Sequence, residues 1–246
     1  MQSETNSGAS DPYEGLIAPQ RRNLWSEVRS TLEPLRLAQR TRHLLRDVPR
    51  GGAELVVAIP GYGTGDTFTA PLRAYLSNRG YSSRGWQLGR NHGDVERLLP
   101  QVHAKLERYV EYHGDKAALV GWSLGGVIAR ELARDYPNLV SQVVTFGTPV
   151  VGGPKYTVSA ASYRERGVDV EKIAARITER NLIAIDVPIT AIFSKTDGVV
   201  TWQACIDHFS PSVEHIEIDS SHAGMPINPD VFELVARALL TSSDPT

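Results

Sequence analysis

The sequence predicts an α/β fold: a mostly parallel sheet of about six strands covered by helices on both faces. Three observations predict it. Short apolar runs alternate with longer stretches of helical periodicity from residue 53 to residue 240, and strands separated by helical patterns imply βαβ crossovers. The runs are nearly continuous in apolar residues, as strands buried on both faces require. A length of 246 residues at 41% hydrophobic composition suits one globular domain with a sizeable core.

The elements follow in order. Residues 1–20 are polar, with Ser, Gly and Pro, and are expected to form a disordered or draped tail. From residue 23 to 47 the pattern is helical: Leu24, Val28, Leu32 and Leu35 share a face, Leu44, Leu45 and Val48 continue it, and Pro34 divides the stretch in two. Residues 1–50 are thus expected to be a tail plus a helical arm, and residues 51–246 the α/β domain. Residues 53–60 read as the first strand, 67–78 as a helix, 86–88 as a short strand and 94–112 as a long helix. A strand at 117–121, a helix at 124–135 and a strand at 142–146 come next. After an irregular stretch there follow a helix at 170–179, strands at 189–193 and 214–218, and a final helix at 229–240. No internal repeat and no low-complexity tract interrupts this order.

Charge and composition exclude several function classes. The formal net charge is −2 with a pI near 6.4, which provides no basic footprint for nucleic acid and favours a small-molecule partner. Cys205 is the single cysteine, so no disulfide can form within the chain, and no Cys/His spacing resembles a metal site. The start, MQSETNSGASDPYEG, lacks the apolar run of a signal peptide, and no later run is long enough to span a membrane. A cytoplasmic protein is the expectation. The arm differs from the rest in carrying eight arginines and no lysine from Arg21 to Arg50, against Glu27, Glu33 and Asp47. Two readings stand: a basic amphipathic helix lying on an anionic membrane surface, or an apolar stripe packed on the domain with the arginines in solvent.

The stretch LVGWSLGGVIARELA concentrates poor helix and strand formers, Gly121, Ser123, Gly125 and Gly126, at a strand-to-helix junction. A serine lifted onto such a turn takes strained backbone angles that crowd positions two before and two after it, where glycine fits. Gly121 and Gly125 occupy those places. Ser123 would then stand above the carboxyl edge of the sheet, over the positive end of the following helix. The plainer reading is a Gly-rich turn with Ser123 as the helix N-cap.

A serine hydroxyl needs a base within hydrogen-bond reach and the base an orienting acid, and both must lie in loops at the same edge of the sheet. Asp197, in SKTDGVV, follows one strand, and His222, in SSHAGM, follows the next. Asp197-Gly198 is also a good turn dipeptide. Among the other histidines only His92, in GRNHGD, sits in a loop after a strand, and it precedes Ser123. The glycine-rich turn IPGYGTGD after the first strand is a poor phosphate cradle. The third glycine of a dinucleotide fingerprint would fall at Asp66, and no Gly-Lys-Ser/Thr is present. With a serine nucleophile, this turn and the helix start supply two oxyanion donors, the N–H groups of Tyr62 and Leu124.

These residues resemble the α/β-hydrolase superfamily, in particular its small bacterial lipase and esterase group, which also resembles inositol deacylases acting on lipid anchors. The resemblance covers residues 53–242 and rests on PGYG, GWSLGG, FGTPVVGG, SKTDGVV and SHAG. It implies a three-layer α/β-hydrolase fold and the catalytic order Ser123, Asp197, His222. The family's two leading strands have no counterpart, because arginine-rich helix occupies their place, so a shortened sheet of about six strands is implied. A lid is implied between the strand ending at Phe146 and the acid loop. About residues 150–188 are available for it, enough for a small cap of one helix and a loop. Tyr156, Val158, Leu182 and Ile183 in that cap have two readings, contacts for an apolar acyl group or plain packing.

The reading is a serine carboxylic-ester hydrolase acting through an acyl-enzyme, without metal or organic cofactor, on a small-molecule or lipid ester. The same residues would also serve acyl transfer or thioester hydrolysis, and a scaffold that kept the fold after losing catalysis would be a binding module.

Overall fold

The computed structural model describes residues 13, 15–19 and 21–241. A 3-10 stretch, Arg21–Leu32, leads into α1 (Glu33–Arg46), and Pro34 in the first turn of α1 marks the division expected from the sequence. Then follow β1 (Leu55–Ile59), α2 (Asp66–Asn78), β2 (Ser82–Gly85), α3 (Val95–His113), β3 (Ala117–Trp122) and α4 (Leu124–Asp135). The second half holds β4 (Val140–Phe146), α5 (Ala160–Glu165), α6 (Val170–Asn181), β5 (Ile189–Phe193), β6 (Val213–Glu217) and α7 (Pro229–Thr241).

The six strands form one sheet in the order β2-β1-β3-β4-β5-β6, and every pairing is parallel. Alternate residues of the strands feed two cores. Val56, Ala118, Val120, Val144 and Ile192 face α1, α2 and α7 with Leu44, Leu76 and Phe232. Leu55, Val57, Ile59, Leu119, Val143 and Ile189 face α3 and α4 with Leu106, Ile128 and Leu132. Both faces are therefore apolar, which is why the sequence shows continuous runs instead of alternation.

Two expected elements move. The second strand is Ser82–Gly85, not residues 86–88. It is an edge strand paired only with β1 and mostly half-exposed, so Ser-Ser-Arg-Gly carries no apolar signal. The apolar Trp86 that suggested a strand instead plugs the core just beyond it, fully buried, with its indole N–H donating to the Gly89 carbonyl at 3.0 Å. The segment between β4 and β5 also holds two helices, α5 and α6, rather than one. α5 is too short for a hydrophobic periodicity to show.

The arm docks the opposite way round from the packing expected. Leu24 lies outside the described side chains, but Val28, Leu32 and Leu35 are 58–59% exposed, with Trp25 at 80%. The arginines face inward. Arg29 grips Asp219 with both terminal nitrogens, at 3.1 and 2.7 Å. Arg36 and Arg40 both reach Asp230, at 3.1 and 2.9 Å, and Arg40 also reaches Glu233 at 2.9 Å. Acids on α7 and after β6 thus draw the basic face down, while Leu44 near the end of α1 and Val48 beyond it are buried in the core, with Leu37 packed against it. The positive charge that an anionic surface would meet is engaged within the chain at these three arginines. Of the expected tail, residues 1–12, 14 and 20 lie outside the described residues; Tyr13 drapes over the domain, donating its hydroxyl to the Ile206 carbonyl at 2.9 Å.

Because these ion pairs are about 40% exposed on the arginine side, water and salt screen them. Arg40→Ala is expected to cost about 1 kcal/mol or less, with the loss shrinking as salt is added. Urea unfolding at low and high salt measures this; a loss of several kcal/mol, indifferent to salt, would contradict the screened-pair account.

Candidate functional site

The strand order reverses at β1: the chain leaves β1 for β2 on one side and returns to β3 on the other. In open parallel sheets such a switch point opens a crevice beyond the carboxyl ends of the two strands. The turn after β1 and the turn after β3 flank it, and these carry Tyr62 and Ser123. The loops after β5 and β6, carrying Asp197 and His222, emerge at the same edge.

Ser123 has φ 53° and ψ −123°, left-handed backbone that a non-glycine residue holds only when its surroundings enforce it. Its N–H donates to the Phe146 carbonyl at 2.9 Å, and the Thr148 hydroxyl donates to its carbonyl at 3.0 Å, so both flanks of the turn are tied to the end of β4 and the segment beyond. Although Ser123 occupies the N-cap position of α4, its side chain forms no capping hydrogen bond. The hydroxyl instead meets His222 Nε2 at 3.1 Å. The plain N-cap reading therefore does not describe this serine.

The imidazole of His222 connects onward to Asp197, with Nδ1 2.7 Å from Oδ2. With Asp197 ionised, the tautomer consistent with both contacts has Nδ1–H donating to the carboxylate and the Ser123 hydroxyl donating to Nε2. Asp197 is a turn former as well. Its Oδ1 accepts the N–H groups of Val199 and Val200 at 2.7 and 2.8 Å, which fixes the carboxylate before it meets the histidine. Both residues are buried, at 8% and 5% exposure. Burial alone would push the His222 pKa down. The charge and hydrogen bond of Asp197, joined by the charge of Glu27, outweigh that and hold it above the usual histidine value. Trp122 packs against the imidazole, ring centres 5.3 Å apart, and stacks on Phe68 at 5.0 Å.

The donors expected at Tyr62 and Leu124 are both free. Among the described residues neither N–H has an acceptor within the chain. Asn91 braces the Tyr62 turn: its fully buried amide donates to the Pro60 carbonyl at 2.9 Å, while its backbone carbonyl accepts from Gly63 N–H at 2.8 Å. The Tyr62 ring, 44% exposed, lies 6.1 Å from Tyr163 of α5, and Arg166 donates to its hydroxyl at 3.3 Å, so the cap reaches over the turn. His92 is solvent-exposed and does not join Ser123. Gly121 and Gly125 are both enclosed by backbone, Gly121 against Gly126 and Gly125 against the Ile59 and Pro60 carbonyls.

Part of the expected cap lies elsewhere. Leu182 and Ile183 are 79% and 53% exposed, and the Ile183 carbonyl accepts from Arg134 at 2.8 Å, near the far end of α4. A 12-residue helix is about 18 Å long, which puts them well away from Ser123. Among the described residues no cluster of three or more His, Cys, Asp or Glu side chains could hold a metal ion. No helix of those residues is long and apolar enough to cross a membrane.

Sequence reasoning missed three residues that shape the site: Glu27, Asn91 and Thr148. Asn91 and Thr148 act through hydrogen bonds to backbone groups far from them in the chain, for which the sequence carries no spacing signal. Glu27 does so from the arm, more than 170 residues from its partners.

Comparison with known proteins bears on the family and the fold. The Alpha/beta hydrolase family profile matches residues 17–246. Two curated relatives are both pimeloyl-[acyl-carrier protein] methyl ester esterases. The one from Aromatoleum aromaticum is 33% identical over 93 residues, 38% of this chain and 36% of that protein. The one from Aliivibrio salmonicida is 29% identical over 135 residues, 52% of this chain and 46% of that protein. The matched stretch thus spans less than half of either relative. Among solved structures, one of the metagenome-derived lipolytic enzymes LipS and LipT superposes with a TM-score of 0.61 at 14% identity, covering 80% of this chain and 96% of that one. A putative non-heme bromoperoxidase, BpoC of Mycobacterium tuberculosis H37Rv, superposes with a TM-score of 0.58 at 18% identity, covering 80% and 95%. At such identities these structures speak for the fold. With the profile spanning nearly the whole chain and the six-stranded parallel sheet in place, the chain belongs to the alpha/beta hydrolase family.

Proposed function

We propose that the protein is a serine hydrolase of carboxylic esters. The observation that carries this reading is the unbroken line Ser123 Oγ, His222, Asp197, with contacts of 3.1 and 2.7 Å, ending beside two unpaired N–H groups at the mouth of the switch-point crevice. Ser123 attacks the ester carbonyl while His222 Nε2 takes its proton. Asp197 holds the imidazole tautomer and stabilises the imidazolium. The oxyanion of the tetrahedral intermediate accepts from the N–H groups of Tyr62 and Leu124. His222 then protonates the departing alcohol, leaving an acyl-serine, and repeats the cycle with water to release the acid.

Hydrolysis of p-nitrophenyl esters from acetate to palmitate tests this. The name of the curated relatives adds a methyl ester of a longer acyl chain to the series. Turnover that appears only when an alcohol or thiol acceptor is supplied would replace hydrolysis by acyl transfer. Failure of a fluorophosphonate to label the protein would sink the serine chemistry altogether.

The pH dependence follows from His222, which must be neutral to accept the proton. Its pKa is held above the usual histidine value of about 6.5, chiefly by Asp197 acting against burial. kcat/KM for a soluble ester is therefore expected to fall as pH drops, with a midpoint above that value. A rate that stays flat well below it would count against His222 as the base.

A further inference from the structure

Glu27 is the arm residue whose side chain reaches both loops that carry the acid and the base. Its Oε1 accepts the N–H of Gly198 at 2.9 Å and the N–H of His222 at 3.0 Å. Its Oε2 accepts the N–H of Ala223 at 2.7 Å. One carboxylate thus joins the residue after Asp197 to His222 itself and its successor. Hydrogen bonds from backbone N–H to a carboxylate are about twice as strong as neutral ones, and three converge here.

Apart from the ring contact between His222 and Asp197, the two loops meet through Thr196, whose hydroxyl lies 2.8 Å from Asp219 and 3.3 Å from the Ser220 carbonyl, and through Ser194, whose hydroxyl accepts the Ser220 N–H at 3.2 Å. Asp219 is the carboxylate that Arg29 grips. The Asp197–His222 contact and the Thr196–Asp219 contact are therefore each secured from one turn of the arm, at positions 27 and 29. An arm that served only to shield the sheet edge would have no need to bond the backbone of the acid and base turns.

We propose that Glu27 is a positioning residue that locks the Asp197 and His222 turns in the register presenting the imidazole to Ser123, so that the arm completes the site. This rests on the ester-hydrolase reading above. The charge of Glu27 acts in the same sense. The charged groups bearing on His222 are Asp197 from the loop after β5 and Glu27 from the arm, both favouring the imidazolium, with Ser123 and Trp122 facing it from the turn before α4.

The test compares wild type with Glu27→Ala, Glu27→Gln and Arg40→Ala, the last loosening the arm without touching either loop. Misplacement of catalytic groups by an ångström costs up to about 100-fold, so Glu27→Ala is expected to lower kcat on p-nitrophenyl acetate at least roughly tenfold with KM little changed. Its acid limb should move to lower pH, because a negative charge beside His222 is gone. Glu27→Gln keeps an oxygen for Gly198 and His222 and should recover part of kcat, but its acid limb should shift as in the alanine variant. Arg40→Ala should match wild type in rate and pH profile. The downfield proton resonance of His222 Nδ1–H reports the pairing with Asp197 without any turnover, and it should move or broaden in Glu27→Ala alone.

Wild-type kcat, pH profile and resonance in Glu27→Ala would overturn the assignment, as would an equal rate loss in Arg40→Ala, which would make the arm a shield only. A wild type that turns over no ester but whose Nδ1–H resonance still depends on Glu27 would instead overturn the ester-hydrolase reading and leave the positioning role standing.

Discussion

Ser123→Ala is expected to lower kcat for ester hydrolysis by roughly 10⁴–10⁶-fold, the range seen when the nucleophile of a triad is deleted, and to abolish fluorophosphonate labelling. The magnitude follows from what the hydroxyl does. It is the group that forms the covalent bond, and its proton is the one that His222 is placed to remove, at 3.1 Å. Without it, the N–H groups of Tyr62 and Leu124 can polarise a bound carbonyl but nothing attacks. Stability should scarcely change, because alanine at φ 53° carries about the same backbone strain as serine and only one partly exposed hydroxyl contact is lost. Loss of activity at an unchanged melting temperature separates chemistry from unfolding. Equal turnover by both proteins would mean that another group does the work and that the strained turn is structural.

The line from Ser123 to Asp197 was legible because each of its members sits in a local pattern that physical chemistry makes rare. A serine between glycines at a strand-to-helix junction, an acid just past the buried strand β5 and a histidine just past the edge strand β6 are constraints written within a few residues. β2 was not legible for the complementary reason: an edge strand has one neighbour, so Ser82, Ser83 and Arg84 need not be apolar, and the fully buried Trp86 drew the expectation four residues downstream. The arm shows the limit more sharply. Val28, Leu32 and Leu35 form a face that hydropathy assigns to a core, yet Asp219, Asp230 and Glu233, about 190 residues away in the chain, turn the arginines inward. No local pattern in residues 21–46 records where those acids lie. The same holds for Glu27, whose partners are backbone N–H groups that every residue but proline possesses.

The other large effect expected is structural, at Gly125. A Cβ on this residue would collide with the Ile59 carbonyl oxygen and lie 2.7 Å from the Ile59 carbonyl carbon and 2.8 Å from the Pro60 oxygen. These are backbone atoms at the end of β1, held in the sheet, and they cannot swing aside as a side chain would. Gly125→Ala must therefore push the start of α4 away from β1. We expect a stability loss of about 3 kcal/mol or more by urea unfolding, the upper range for overpacking a close contact. Gly52→Ala is the control: its Cβ would meet only the flexible carboxylate of Glu54, at 3.3 Å, so its cost should stay within about 0.5 kcal/mol. The shift also reaches the chemistry, because Leu124 N–H leads α4 and Tyr62 N–H follows β1, so widening the gap between helix and strand pulls the two oxyanion donors apart. Where enough Gly125→Ala folds to be assayed, kcat should fall further than the folded fraction accounts for. A variant with wild-type stability would mean that α4 yields at no cost. One that is less stable yet fully active when folded would mean that the spacing of α4 and β1 does not set the distance between the donors.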